Sequence, residues 1–181
     1  GCQFHGPKPM APGAKLRDLP AFNEEVIFDL VQLRSGIWVF SIMCRGTKYK
    51  KYSAMPDSRA YTAARIFIRD WTRHFGMPRK LGFPDDSGSS LHDRGSEFIG
   101  SDFLAQLDSM IVLNSATPAY SPESHGDVER ANRTLLEALR DTPVRTVNEG
   151  DVVCSTAENV LNNTLDHGAG FTSSQLVFGR S

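Results

Sequence analysis

Along the chain, hydrophobic positions fall first into strand-like runs and then into helix-like ones. "EEVIFDLVQL" (24–33) and "GIWVFSIMC" (36–44) are β-branched and aromatic, and the turn-forming "RSG" (34–36) joins them as a hairpin; "KKYSAM" (50–55) follows as a third strand. The period then changes. "SRAYTAARIFIRDWTRHFG" (58–76) brings Ala64, Ile68, Trp71 and Phe75 to one helical face, Gly76 closes that helix and Pro78 follows. "SDFLAQLDSM" (101–110) reads as a short helix, "IVLNSATP" (111–118) as a strand, "VERANRTLLEALRD" (128–141) as an amphipathic helix and "DVVCSTAENVLNNTL" (151–165) as another. The order of elements predicts an α/β fold, a five-stranded mixed sheet with its first three strands antiparallel and helices on both faces. Residues 1–20, with Pro7, Pro9, Pro12 and Pro20, read as an extended arm, and residues 21–181 as one folded core.

Composition changes the picture little. A chain of 181 residues, 40% hydrophobic and 23% charged, suits one domain with a sizeable core. No run approaches the roughly 18 apolar residues of a membrane span, and the start lacks the apolar segment of a signal peptide, so neither secretion nor a membrane partner is expected. Cys2, Cys44 and Cys154 are odd in number and far apart, which favours a reducing compartment; Cys44 and Cys154 read as small core residues.

Charge changes it more. The formal net charge of -1 conceals a split: from Arg34 to Lys80 eleven Lys or Arg oppose Asp57 and Asp70, a balance of +9, whereas from Leu81 to Glu129 only Arg94 opposes nine acidic residues. Either the basic stretch "RGTKYKKYSAM", with Lys48, Lys50 and Lys51 among its aromatics, grips phosphates while the acidic stretch holds a cation, or the charges interleave into an ordinary solvated surface.

Three carboxylates stand out against this framework. Asp29 interrupts the apolar strand "VIFDLVQL", Asp93 in "LHDRGSEF" sits where a further strand, between the helix of 58–76 and that of 101–110, gives way to a loop, and Glu129 opens the helix "VERANRTLLEALRD" at the rim of its apolar stripe. If they converge, each like-charge pair at about 4 Å costs on the order of 4 kcal/mol at an intermediate dielectric, so a hard cation such as Mg²⁺ or Mn²⁺ is needed. Otherwise they are a satisfied strand Asp, a loop Asp and a Glu favoured by the helix dipole.

The local sequences weigh toward convergence. "DRGSEF" followed by "TPAYSPESHGDVERANRTL" resembles the catalytic core of retroviral and LTR-retrotransposon integrases, in which 35 residues separate an Asp from a Glu, as they separate Asp93 from Glu129. "FNEEVIFDLVQL" is similar to the strand bearing that family's first Asp, "DWTRHFGMPRKL" to its helix and loop, and "GFTSSQLVFGRS" to its closing segment. The resemblance spans residues 20 to 181. It implies a ribonuclease-H-like fold and DNA integration, in which two Mg²⁺ or Mn²⁺ ions shared by Asp29, Asp93 and Glu129 serve 3′-end processing and strand transfer. It also implies DNA contacts from Tyr120, Pro122, His125 and Gly126, which match a mobile loop, and from Asn132 and Arg133 on the helix after Glu129. Homo-oligomers and a nuclear site of action, with assembly in the cytoplasm, are implied as well.

Some positions depart from the family pattern. "DDSGSS" makes Asp86 a rival of Asp93, although 42 residues would then precede Glu129; Cys44 and Ser174 replace a common Asp and Pro. Cys2 and His5 make no zinc site, so no zinc is expected, and the chain reads as an isolated core or a fragment. Two other classes stay open: a decayed or domesticated relative that binds nucleic acid without cutting it, and an unrelated α/β module whose three carboxylates lie far apart.

Overall fold

The structure is a computed structural model that describes residues 20–82, 96–110, 119–120, 132–137, 142–166 and 170–179. Three apolar runs become the strands β1 (Glu25–Gln32), β2 (Trp38–Cys44) and β3 (Lys50–Met55). They pair antiparallel, with Asp29 opposite Ser41 and Ser41 opposite Tyr52. The short β4 (Lys80–Gly82) joins β1 in parallel and the two-residue β5 (Ala119–Tyr120) joins β4 in parallel, giving the order β3-β2-β1-β4-β5. Parallel neighbours need crossovers, and helices intervene at both. The sheet is therefore mixed, with β1 at its centre, as the element order predicts. The strand expected over 111–118 and the arm over 1–19 lie outside the described residues.

Alternation along the strands feeds two cores. On one face Val26, Phe28, Phe40, Ile42 and Met55 meet α1 (Ala60–Phe67) and α3 (Ser96–Met110) through Ala63, Phe67, Phe103 and Leu107. On the other, Leu33, Val39, Tyr52 and Ala54 meet α4 (132–137) and α5 (Val147–Asn163) through Leu135, Cys154 and Ala157. Cys44 and Cys154 are both buried, in keeping with their reading as core residues.

Three helices differ from the periodicity. The helix expected over 58–76 contains a π-helical segment (Ile68–Thr72) between α1 and α2 (Arg73–Phe75). This wide turn buries Trp71, whose indole donates to Asn23 Oδ1 at 2.8 Å, and sets Asp70 against the Ser53 hydroxyl at 2.6 Å. The helix expected over 101–110 begins five residues earlier, at Ser96. The helix expected over 151–165 begins at Val147, because Thr146 and Glu149 form a reciprocal capping box ahead of the apolar stripe. A small hairpin, β6 (Leu165–Asp166) with β7 (Phe171–Thr172), then leads into α6 (Ser173–Phe178). Among the described residues no helix is long and apolar enough to cross a membrane.

The outer edge of β3 is closed by side chains of α5. Its outward N–H groups at Lys50, Tyr52 and Ala54 donate to Asn162 Oδ1 (2.9 Å), Glu158 Oε2 (3.3 Å) and Asp151 Oδ1 (2.8 Å), and Asn162 Nδ2 returns a bond to the Lys50 carbonyl at 2.7 Å. Positions 151, 158 and 162 share one helical stripe, so the helix substitutes for a missing strand. Gly150 permits this approach: a Cβ there would stand 2.8 Å from that of Ala54.

Candidate functional site

β1 is buried over Glu25–Phe28 and opens from Asp29 onward, so Asp29 stands where the central strand emerges from the core. Its side chain faces the α4 side of the sheet, in step with Leu33. One carboxylate oxygen accepts the Leu30 N–H at 2.8 Å and the other accepts the Asn132 amide at 2.5 Å. Asn132 reaches it because Leu135, one helical turn on, is anchored in the same core as Leu33. With the amide nitrogen turned to the carboxylate, Asn132 Oδ1 is left buried and without a partner among the described residues. Buried polar atoms are rarely left without a hydrogen bond.

Asp93, Asp86, Pro122, His125, Gly126 and Glu129 lie outside the described residues, and Tyr120 is described only as part of β5. Among the described residues no group of three or more His, Cys, Asp or Glu gathers for a metal. The oxygens of Asp29 and the orphaned oxygen of Asn132 are the hard donors this part of the site offers. The contact between Asn132 and Asp29 was not read from the sequence; the signal available was the three-residue step from Glu129 to Asn132, which would put both on one face of the helix expected over 128–141.

The basic residues divide. Lys51 is tied to Glu158 by a 2.7 Å ion pair, and the Lys50 ammonium donates to the Lys48 carbonyl at 2.8 Å. Lys48 itself adopts a left-handed backbone (φ 59°) in the β2–β3 turn. By register Lys50 and Lys51 lie level with Ile27 and Phe28, two strands from β1, which is about 10 Å away across the sheet. Arg133 is exposed on α4.

Two titratable groups are packed in the core beneath α5. Burial, reinforced by the charges of Asp151 and Glu158, pushes the Cys154 thiol up to about 12, which makes it a poor nucleophile. Burial likewise raises the Tyr52 hydroxyl, with Cys154 and Glu158 adding to the effect.

A five-stranded mixed sheet with three antiparallel strands, a carboxylate on the central one and helices on both faces defines the ribonuclease-H-like class of fold, in the form found in retroviral integrase catalytic cores. The chain superposes on the HTLV-2 integrase catalytic core domain in complex with magnesium (trimeric form) with a TM-score of 0.59 and 16% identity, over 87% of this chain and 98% of that one. It is similar at a TM-score of 0.62 and 16% identity to a chain of the simian T-cell lymphotropic virus intasome in complex with PP2A regulatory subunit B56 gamma, over 87% of this chain and 55% of that one. In sequence it is 29% identical over 124 residues to the Pol polyproteins of equine infectious anemia virus, strain Wyoming and isolate 1369, covering 68% of this chain. The chain spans 9% of the length of those polyproteins. No protein-family model matches it.

Proposed function

We propose that this chain is the catalytic core of an integrase, which trims element DNA near its 3′ end and transfers that end into target DNA. Asp29, Asp93 and Glu129 are its three carboxylates, with Mg²⁺ or Mn²⁺ as the cofactor they hold. The observation that carries this reading is the Asp29–Asn132 contact: a carboxylate in an apolar central strand, held by an amide three residues beyond Glu129. A helix continued back through Glu129 would bring that carboxylate to the same face as Asn132. The donors present are all hard oxygens, and the orphaned Asn132 Oδ1 suits an ion-bound water or a hydroxyl, so the residues fit the ion.

When bound, such ions polarise a phosphate and acidify the attacking water or hydroxyl. The chain's own part is positioning. Asp29 is fixed through both oxygens, so its carboxylate keeps one orientation as DNA arrives. Tyr120, Pro122, His125 and Gly126 contact the DNA end in this reading, and Lys48, Lys50, Lys51 and Arg133 hold phosphates. The partners are element and target DNA and further copies of the chain, acting in the nucleus; the trimeric core and the intasome among its structural relatives support assembly with itself and with DNA.

The test is a strand-transfer assay with labelled DNA ends and Mg²⁺ or Mn²⁺. Asp29→Asn, Asp93→Asn and Glu129→Gln should each abolish product almost completely, since residues that act as a unit fail together, while Asp86→Asn should remain active. Loss with Asp86→Asn and retention with Asp93→Asn would make Asp86 the second carboxylate. A wild-type chain that binds DNA yet stays inert with every end and metal tried would be a relative that binds nucleic acid without catalysis.

A further inference from the structure

Beyond Asp29, on the same face of the sheet, lies a half-open cleft of about 570 Å³. The β1–β2 turn forms one wall, α4 a second and residues 142–144 the third. The turn is tight: the Gly36 N–H donates to the Leu33 carbonyl at 2.9 Å, and Gly36 takes a φ of 86° that suits glycine. Arg34 and Ser35 are thus thrust out at its corners. Arg133 lines the same cleft from α4, and Leu33, Leu136 and Val144 are its apolar residues. Neither Arg34 nor Arg133 makes an ion pair or hydrogen bond among the described residues, in contrast to Lys50 and Lys51. The carboxylate of Glu137 lines the same cleft, so that among the described residues two guanidiniums stand against one acid.

We infer that this cleft grips a phosphodiester of the DNA backbone, with Arg34 and Arg133 as a paired clamp. Two planar guanidiniums offer forked donors that match phosphate oxygens, and the Ser35 and Thr142 hydroxyls that also line the cleft can add to them. An apolar floor suits the sugar that lies between phosphates. The distance fits a bound strand. Asp29 and Leu33 are four residues apart on an extended chain, roughly 13 Å, or about four steps of duplex rise at ~3.4 Å each. The clamp would therefore hold DNA a few nucleotides from the phosphate at Asp29 and fix its direction across the site. This inference rests on the integrase reading for the identity of the polymer, and it adds Arg34, on a separate element, to the binding surface.

The experiment measures duplex DNA binding by the whole chain between 50 and 200 mM salt. Arg34→Ala, at an exposed turn corner, should weaken binding and make the log–log salt slope shallower by about one unit, so that wild type loses roughly 3-fold more affinity than the variant over that range. Glu137→Gln should act in the opposite direction and tighten binding, which a merely structural role for these residues would not produce. Arg34→Lys should recover the slope and only part of the affinity. Unchanged affinity and slope in Arg34→Ala overturn the clamp while leaving the reading of Asp29 intact, because strand transfer is scored separately. If a polyglutamate peptide binds and Arg34→Ala weakens the peptide but not DNA, the cleft docks an acidic protein and the clamp is wrong. A wild-type chain that binds no DNA at all overturns both.

Discussion

Asn132 donates to a carboxylate that already accepts a backbone amide, and at 2.5 Å its bond is shorter than the 2.8 Å bond from the Leu30 N–H. Asn132→Ala removes one of the hydrogen bonds that orient the Asp29 carboxylate. Strand transfer should fall about 10- to 100-fold, as for other residues that orient a ligand from behind, and circular dichroism should show the fold retained. Asp70 gives a pH prediction. Burial alone would raise its carboxyl, but the hydrogen bonds from Arg69 and Ser53, with the charges of Arg69 and Lys51, outweigh burial and hold it below the usual carboxylate range. A group depressed in the folded state adds stability above its unfolded value, near 3.9, and loses that contribution as the pH falls through the folded value. Asp70→Asn should therefore cost on the order of 1 kcal/mol in urea unfolding at pH 7, allowing for the partial exposure of the pair. The gap to wild type should close as the pH falls below about 4.

At the scale of elements, the strands were the most legible part of the sequence and the polar side of α5 the least. β1, β2 and β3 stand out because β-branched and aromatic runs between turn residues have few other solutions. The π-helical segment left no trace in the pattern, since one extra residue in a turn shifts the apolar face too little to break a helical period. Asp151, Glu158 and Asn162 look like any solvated helix face, and only tertiary structure shows that they accept the amides of β3. Asn132 was hidden for the same reason, because its carboxylate partner lies 103 residues away in sequence. The closure of β3 can be tested directly. Asp151→Ala and Glu158→Ala would each strand a backbone N–H of β3, and each should cost about 2 kcal/mol in chemical denaturation. Hydrogen exchange at Ala54 and Tyr52 should speed up respectively, ahead of global unfolding.

Across the whole molecule, the sequence left two outcomes for its charge split, and the ion pair between Lys51 and Glu158 belongs to the interleaved one. Lys51 is paired with Glu158, so part of the +9 balance between Arg34 and Lys80 is neutralised within the protein. Reversing Lys51 should therefore cost stability as well as DNA affinity. The double reversal Lys48→Glu with Lys50→Glu should weaken DNA binding with little dependence on base sequence, making the salt slope shallower by about 0.9 for each phosphate that is no longer neutralised. Filter binding at several salt concentrations would show this; an unchanged slope would assign these two lysines to the solvated surface.

The closure of β3 has a further consequence while the chain is being synthesised. The three acceptors lie 97, 106 and 112 residues downstream of the amides they satisfy. At about 5–20 residues per second, a ribosome takes roughly 5–20 s to add the intervening chain. Throughout that interval β3 is a bare strand edge, able to pair with the same edge on a neighbouring nascent chain. Ribosomes spaced closely on one message should therefore produce more insoluble product than widely spaced ones, and a chaperone that shields extended segments should matter most before α5 emerges.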